Sequence, residues 1–125
     1  MSILPEPMSK KEIFLINSLD ADGEKFVAKL SLDATNRIFD GHFPGAPVTP
    51  GVIQLQMVKK VTEQHLQRDL KVKAIRSCKF LEILNPEITP LLAIEFAIKE
   101  GEVIEVNATG KWEESTFFKA QITYI

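Results

Sequence analysis

The stretch that decides the fold lies between residues 39 and 52 and reads FDGHFPGAPVTPGV. Pro44, Pro47 and Pro50 recur at every third position, with two glycines among them. Each proline fixes its own φ and restricts the residue before it, so the pattern predicts a stiff, irregular loop. A rigid loop between two regular elements is a good place to hold a reacting side chain, and His42 is the candidate.

A helix is predicted directly after this loop. Thr49 is its expected N-cap, Pro50 takes the first helical position, and the run continues to about Asp69. The first two turns, from Val52 to Val58, are apolar on nearly every side, whereas the later part is much more polar. This pattern predicts a helix that is buried at its start and emerges toward its end.

Six strands are predicted around the helix. Two precede it, over Glu12 to Ser18 and Glu24 to Asp33, with a turn at residues 20–23 between them. The four that follow span Val72 to Phe80, Leu91 to Lys99, Val103 to Thr109 and Thr116 to Ile125. Apolar residues alternate along several of these runs, which indicates antiparallel strands with one buried face. A long central helix with about six strands curled around it describes a single α+β domain over residues 1–125.

Composition and charge narrow the class of protein. The 125 residues are 45% hydrophobic and carry a formal net charge of -2, which gives no reason to expect nucleic-acid or membrane binding. The single cysteine, Cys78, excludes an internal disulfide and suits a reducing compartment. The first 11 residues contain neither a signal-peptide core nor a membrane span. We therefore expect a cytoplasmic protein.

The opening stretch resembles the active-site signature of the β-hydroxyacyl-acyl carrier protein dehydratases, which have the hot-dog fold. The resemblance rests on His42-Phe43-Pro44, on Pro47-Val48, and on Pro50-Gly51-Val52 at the start of the helix, all in register. Residues 75–80, IRSCKF, also resemble the strand that follows the helix in that family. The resemblance implies a dimer, a homodimer or a heterodimer with a related subunit, in which each site takes residues from both protomers.

The resemblance also implies roles for individual residues. His42 is the general base, the N–H of Gly51 is the oxyanion donor, the carbonyl of Val48 orients the imidazole, and Phe43 contacts the substrate. These roles agree with elementary chemistry, because removing an α-proton requires a base that titrates near neutrality. It also requires donors where enolate charge develops, which the first turn of a helix supplies. No cofactor and no metal are expected.

The sequence departs from the family at the fifth residue after Gly51. The family has Glu or Asp there to protonate the leaving hydroxyl, whereas this chain has Gln56. An amide has no proton to donate near pH 7, and losing one acid–base partner costs a factor of about 10² to 10⁴ in rate. Glu63 lies two turns further on, roughly 10 Å away, and is not an easy substitute. A helical wheel places Gln56 between Val52 and Ile53, which predicts a buried amide with a hydrogen-bond partner.

Several functions therefore stay open. The first is a 3-hydroxyacyl-[acyl carrier protein] dehydratase that forms the trans-2-enoyl thioester at reduced rate, using His42 with a water or a hydroxyl bound by Gln56. The second is a subunit of a mixed dimer whose related partner supplies the acid. The third is a protein that only binds acyl chains, and a hot-dog thioesterase is a further alternative. The pathway is fatty acid biosynthesis, polyene synthesis or another thioester pathway.

Other conspicuous residues have simpler explanations. His65 is expected to be solvated, Cys78 to be a small buried hydrophobe rather than a nucleophile, and Trp112 to cap the core. A basic cluster near the helix end and the next strand is usually a solvated face, but the resemblance makes it a docking surface for an acidic acyl carrier protein. The substrate is then a thioester bound to that carrier or to CoA. The cluster consists of Lys59, Lys60, Arg68, Lys71, Lys73, Arg76 and Lys79.

Overall fold

A computed structural model describes residues 13–36 and 48–125 of the chain. Within these ranges there are one helix and six strands. In chain order they are β1 (Phe14–Asp22), β2 (Lys25–Leu32), α1 (Gly51–Leu66), β3 (Val72–Phe80), β4 (Leu91–Glu100), β5 (Ile104–Trp112) and β6 (Ser115–Tyr124). All neighbouring strands pair antiparallel, in the order β1-β2-β4-β5-β6-β3. The α+β architecture with a six-stranded antiparallel sheet is confirmed.

The strands turn one apolar face toward the core, as their alternation predicts. The fully or largely buried residues on this face include Ala28, Leu30, Leu32, Leu92, Ile94, Phe96, Val106, Ala108, Phe118, Ala120 and Ile122. Helix α1 packs Ile53, Met57, Val58 and Val61 into the same cluster. The core thus lies between the helix and the inner face of the sheet.

Two turns are tighter than the sequence predicts. Asp22 pairs with Lys25, so only Gly23 and Glu24 join β1 to β2, and Gly23 has a φ of 65°. A two-residue hairpin needs positive φ, which glycine adopts without strain, so the strand continues to Asp22 rather than turning at residue 20. Similarly, β5 continues through Gly110 to Trp112, because Trp112 pairs with Ser115 and only Glu113, with a φ of 53°, and Glu114 join β5 to β6.

The prediction places both the start and the end of the helix at the wrong residues. It has 16 residues, about 24 Å in length, and ends at Leu66 because Gln67 adopts a left-handed φ of 60°. At its start Pro50 is the N-cap residue, and no side chain caps the helix, so Thr49 does not have the predicted role. The helix is therefore shorter than the long element expected from the sequence.

The start of α1 is not buried on every side. Val52 is 71% exposed and Gln56 is also exposed, whereas Ile53 and Gln54 between them are buried. The predicted all-round burial is wrong because one chain covers only the side of the helix that faces the sheet.

Strand β3 forms one edge of the sheet. Among the described residues it pairs only with β6, and Val72, Ile75 and Phe80 are each about half exposed. Cys78 on this strand is half-buried and packs against the core, and burial raises the pKa of its thiol. No helix in the described part of the chain is long and apolar enough to cross a membrane.

Candidate functional site

The start of α1 is held by hydrogen bonds of the two residues before it, Thr49 and Pro50. The N–H of Thr49 donates to the carbonyl of Leu84 at 2.8 Å, which ties the entry of the helix to the segment after β3. The N–H groups of Ile53 and Gln54 donate to the carbonyl of Pro50 at 3.0 and 3.2 Å. The N–H of Gly51 has no acceptor among the described residues, as is usual for a first-turn donor that lacks a cap.

An open cleft of about 400 Å³ lies beside this helix start. It is lined by residues 48–51, Gln54 and residues 80–84. The exposed side chains of Phe80, Leu81 and Ile83 make much of its lining apolar, and the exposed Glu82 lies between them in sequence. A Cβ at position 51 would lie 2.7 Å from the Cζ atom of Phe80, so glycine is what allows this ring to lie against the helix start.

Two buried polar side chains border the cleft region. Thr49 is 1% exposed and Gln54 is 3% exposed. The Nε2 atom of Gln54 donates to the carbonyl of Thr49 at 3.0 Å, but Oε1 of Gln54 and Oγ1 of Thr49 have no partner among the described residues. Buried polar atoms in proteins are almost always hydrogen-bonded, so these two oxygens mark an unusual position.

Gln56 does not border this cleft. Its side chain is exposed and lines a second groove of about 370 Å³ with residues 13–16, Lys60 and Gln64. Five residues along a helix amount to a rotation of about 140°, so Gln56 and Gly51 are directed to different sides of α1. The prediction that Gln56 is a buried amide is therefore wrong.

The other predicted site residues fall into two groups. Val48 is half-buried and borders the same cleft as Gly51. His42 and Phe43 lie outside the described residues. The structure thus brings Val48 and Gly51 together, adds Gln54 to them, and separates all three from Gln56. The sequence contains one signal for Gln54, since a residue three positions after Gly51 lies on nearly the same helix face.

Glu63 is occupied by structural contacts. Its Oε2 atom accepts a hydrogen bond from the N–H of Leu70 at 2.8 Å, and its carboxylate lies 3.4 Å from Nζ of Lys60 and 4.0 Å from Nζ of Lys59. These contacts close the C-terminal end of α1. Glu63 is therefore not free to act as the missing acid.

The remaining candidates are partly corrected. His65 is not solvated, because its ring lies 3.9 Å from the ring of Phe26, centroid to centroid, and is half-buried. Trp112 packs against the core, as predicted. Across residues 13–36 and 48–125, no group of three or more His, Cys, Asp or Glu is arranged to hold a metal ion.

The basic cluster is largely exposed along β3. Lys71, Lys73, Arg76 and Lys79 all have exposed side chains. Arg76 pairs with Glu105 on β5 at 3.1 Å, an exposed contact that contributes little to stability. The cluster therefore remains accessible in the single chain.

The sheet order, the helix on its inner face and the cleft at the helix start define a hot-dog protein. The fold is shared with the dehydratase heterocomplex ApeI:P from Xenorhabdus doucetiae, with a TM-score of 0.67 and 22% identity over 88% of this chain and 96% of that one. It is also shared with a thioesterase superfamily protein from Shewanella loihica, with a TM-score of 0.57 and 12% identity over 86% of this chain and 88% of that one.

The family follows from the sequence of the chain. The chain belongs to the ApeI-like family, described as ApeI dehydratase, whose profile matches residues 18–115. A relative is the 3-hydroxyacyl-[acyl-carrier-protein] dehydratase FabZ of Lactobacillus helveticus, which is 26% identical over 110 residues, covering 82% of this chain and 74% of that protein. The dehydratase family predicted from residues 39–52 is confirmed.

Proposed function

We propose that this chain acts in the dehydration of 3-hydroxyacyl thioesters on an acyl carrier protein, giving the trans-2-enoyl thioester. The observation that carries the proposal is the cleft at the start of α1, where Gly51 has an N–H without an acceptor among the described residues. A helix N-terminus in an apolar cleft stabilises the negative charge that forms on a thioester oxygen. Membership of the ApeI-like family and the FabZ relatives support the same reaction.

The proposed reaction assigns each bond change to a group. His42 takes the α-proton, held in orientation by the carbonyl of Val48, while Phe43 contacts the acyl chain. The electron pair moves into the thioester carbonyl, and the N–H of Gly51 stabilises the resulting enolate. The pair then returns to form the double bond between the α- and β-carbons as the bond from the β-carbon to oxygen breaks. The hydroxide leaves as water once an acid gives it a proton.

The missing acid points to a second subunit. Gln56 and Val52 lie one turn apart on the outward side of α1, away from the cleft of their own chain. We propose that the outer edge of β3, which pairs with β6 alone among the described residues, meets a related subunit whose carboxylate completes the site. An unpaired strand edge is suited to pairing with another chain. The heterocomplex of Xenorhabdus doucetiae supports this arrangement, and a homodimer would place Gln56 in both sites instead.

The test uses a 3-hydroxyacyl thioester on carrier protein or CoA, with enoyl absorbance as the readout. We expect turnover by the chain alone to be slow and to rise when a related carboxylate-bearing subunit is added, and His42→Ala to abolish it in both cases. The matched control is His65→Ala, since the chain has two histidines and His65 lies at the opposite end of α1. Acyl binding without turnover in either case would instead indicate a binding protein. Release of free thiol would indicate a thioesterase.

Carrier docking and location complete the proposal. Reversing the charges of Lys71 and Lys73 on the exposed basic cluster is expected to weaken carrier binding at low salt, while leaving binding of an uncharged pantetheine thioester unchanged. Unchanged carrier affinity would contradict docking there.

We also propose that the chain is one domain over residues 1–125. We place the protein in the cytoplasm, because a single free cysteine suits a reducing compartment.

A further inference from the structure

We propose that Gln54 recognises the 3-hydroxyl group of the substrate, with its Oε1 atom accepting a hydrogen bond from that hydroxyl. This inference rests on the proposed function and adds a specificity-determining residue to it. Gln54 is a different residue from Gln56, which replaces the family's acid and lies on the other side of the helix.

The orientation of the Gln54 amide follows from its one hydrogen bond. Nε2 donates to the carbonyl oxygen of Thr49 at 3.0 Å, and turning the amide over would place two acceptor oxygens against each other. The oxygen is therefore fixed on the other side of the amide, where it has no partner among the described residues. Leaving a buried acceptor unpaired is unfavourable, so a ligand that donates to it gains affinity that a ligand without a donor does not.

The position of Gln54 suits the geometry of a 3-hydroxyacyl thioester. Gln54 lies three residues after Gly51 on nearly the same face of α1, about 4.5 Å along the helix axis. In the substrate, the thioester carbonyl and the carbon that carries the hydroxyl are two bonds apart. A carbonyl oxygen at the N–H of Gly51 thus leaves the hydroxyl within reach of the next turn, where Gln54 borders the cleft.

The depth of Gln54 distinguishes the hydroxyl from the other donors of the ligand. The pantetheine arm of a thioester carries two amide N–H groups, but it leads outward to the carrier. Phe80, Leu81 and Ile83 line the same cleft and are 49, 51 and 71% exposed, whereas Gln54 is 3% exposed. A donor that reaches the buried oxygen therefore belongs to the acyl part of the ligand.

The role of Gln54 is to select and orient the substrate. By accepting the hydrogen of the 3-hydroxyl, Oε1 leaves the lone pairs of that hydroxyl free for a proton from the acid. It gives no proton itself, because an amide is not acidic near neutral pH. Saturated and 3-oxo thioesters of the same length lack the donor, and the site is expected to discriminate against both.

The test measures binding of unreactive amide analogues in which nitrogen replaces the thioester sulfur. Wild-type protein is expected to bind the 3-hydroxyacyl analogue roughly tenfold more tightly than the saturated one, and to bind the 3-oxo analogue most weakly, as expected for one hydrogen bond to a buried acceptor. Gln54→Met and Gln54→Leu should remove this preference and leave affinity for the saturated analogue unchanged. Gln64→Met, on the exposed side of the same helix, should keep the preference.

Each other outcome overturns the inference in a recognisable way. Equal losses for hydroxylated and saturated analogues in the Gln54 variants would show that Gln54 contacts the shared pantetheine arm. A preference kept in both variants would show that Gln54 does not recognise the hydroxyl. The ranking in wild-type protein needs no variant to fold, and equal affinity for all three analogues would contradict the inference by itself. Wild-type protein that binds none of them would instead contradict the proposed function.

Discussion

The two ends of α1 differ in how completely the polar groups of the helix, and of the residues next to it in sequence, are satisfied. At the C-terminal end, the N–H of Gln67 donates to the carbonyl of Glu63, and the carboxylate of Glu63 accepts from Leu70 and lies near two lysines. At the N-terminal end no side chain caps the helix, no acidic residue lies in the first turn, and two buried oxygens lack partners among the described residues. One end is closed by the chain itself, and the other is open to a cleft.

This difference separates stability from function within one helix. Closing a helix end with hydrogen bonds contributes to folding, whereas unsatisfied donors and acceptors are a cost that a folded protein retains where a ligand uses them. The open end of α1 therefore corresponds to the proposed thioester site. Changes at the closed end should affect folding, and changes at the open end should affect ligands and rate.

The largest expected effect comes from placing a carboxylate near the open end. Gln56→Glu should raise the dehydration rate of the purified protein by about 10²-fold, because in a pair of identical subunits each substituted side chain supplies an acid partner at the cleft of the other subunit. The measurement is the rate of increase in enoyl absorbance with the same 3-hydroxyacyl thioester at the same concentration for each protein. Gln64→Glu places the same charge on the same exposed groove two turns later and should give no increase. Equal rates in all three proteins would show that the lack of an acid at position 56 does not limit the reaction.

The next effect tests the closed end. Glu63→Ala removes a hydrogen bond from Leu70 to a charged, largely buried acceptor, and should lower the free energy of unfolding by about 1.5 to 3 kcal/mol. Urea denaturation measures the loss, and Glu114→Ala in an exposed turn is the matched control. Binding of the saturated acyl analogue should be unchanged in the folded protein. A loss of binding larger than the loss of stability would contradict the separation between the two ends.

The strands and their buried faces could be predicted from the sequence, because alternation with period two fixes which residues share a face. β3 has the predicted bounds, and Leu92, Ile94 and Phe96 are buried as expected. The end of α1 could not be predicted, because the left-handed C-cap position is occupied by Gln67 and not by the glycine that usually marks such an end in a sequence.

The site could be predicted only in part. The motif indicates Gly51, which does begin the helix and borders the cleft. The apolar pattern around Gln56 was misleading, because periodicity does not distinguish a face that packs on the sheet from a face that is apolar but exposed, as Val52 is. Gln54 looks like a polar interruption of an apolar run, and only the packed structure shows that its oxygen is buried without a partner.

A smaller expected effect on stability tests whether Thr49, the predicted N-cap of α1, or Pro50, the observed one, begins the helix. If Thr49 were the N-cap, Thr49→Val would cost about 1 kcal/mol. Because Oγ1 of Thr49 is buried without a partner among the described residues, we expect no loss, or a gain of up to about 1 kcal/mol in the free energy of unfolding. The control is Thr62→Val, since Oγ1 of Thr62 donates to the carbonyl of Val58 at 2.8 Å and its removal should be destabilising. Equal losses in both variants would indicate that Thr49 has a stabilising contact.

The smallest effect concerns Tyr124, near the closed end. Its hydroxyl is buried without a partner in the described part of the chain, and burial, with a further contribution from the carboxylate of Glu63, raises its pKa. The unfolded chain loses this proton near pH 10 whereas the folded chain keeps it, so stability is present below pH 10 and is lost as pH rises above it. By pH 11 wild-type protein should lose about 1 kcal/mol more than Tyr124→Phe, because one titrating group contributes up to about 1.4 kcal/mol per pH unit.

The comparison with Tyr124→Phe removes every pH-dependent contribution that the two proteins share. Urea denaturation at several pH values measures the difference, and Tyr124 is the single tyrosine of the chain, so its phenolate absorbance reports directly on the same ionisation. Near pH 7 the two proteins should be about equally stable, since the variant loses no hydrogen bond. Parallel stability curves up to pH 11 would contradict the burial of the Tyr124 hydroxyl in the folded protein.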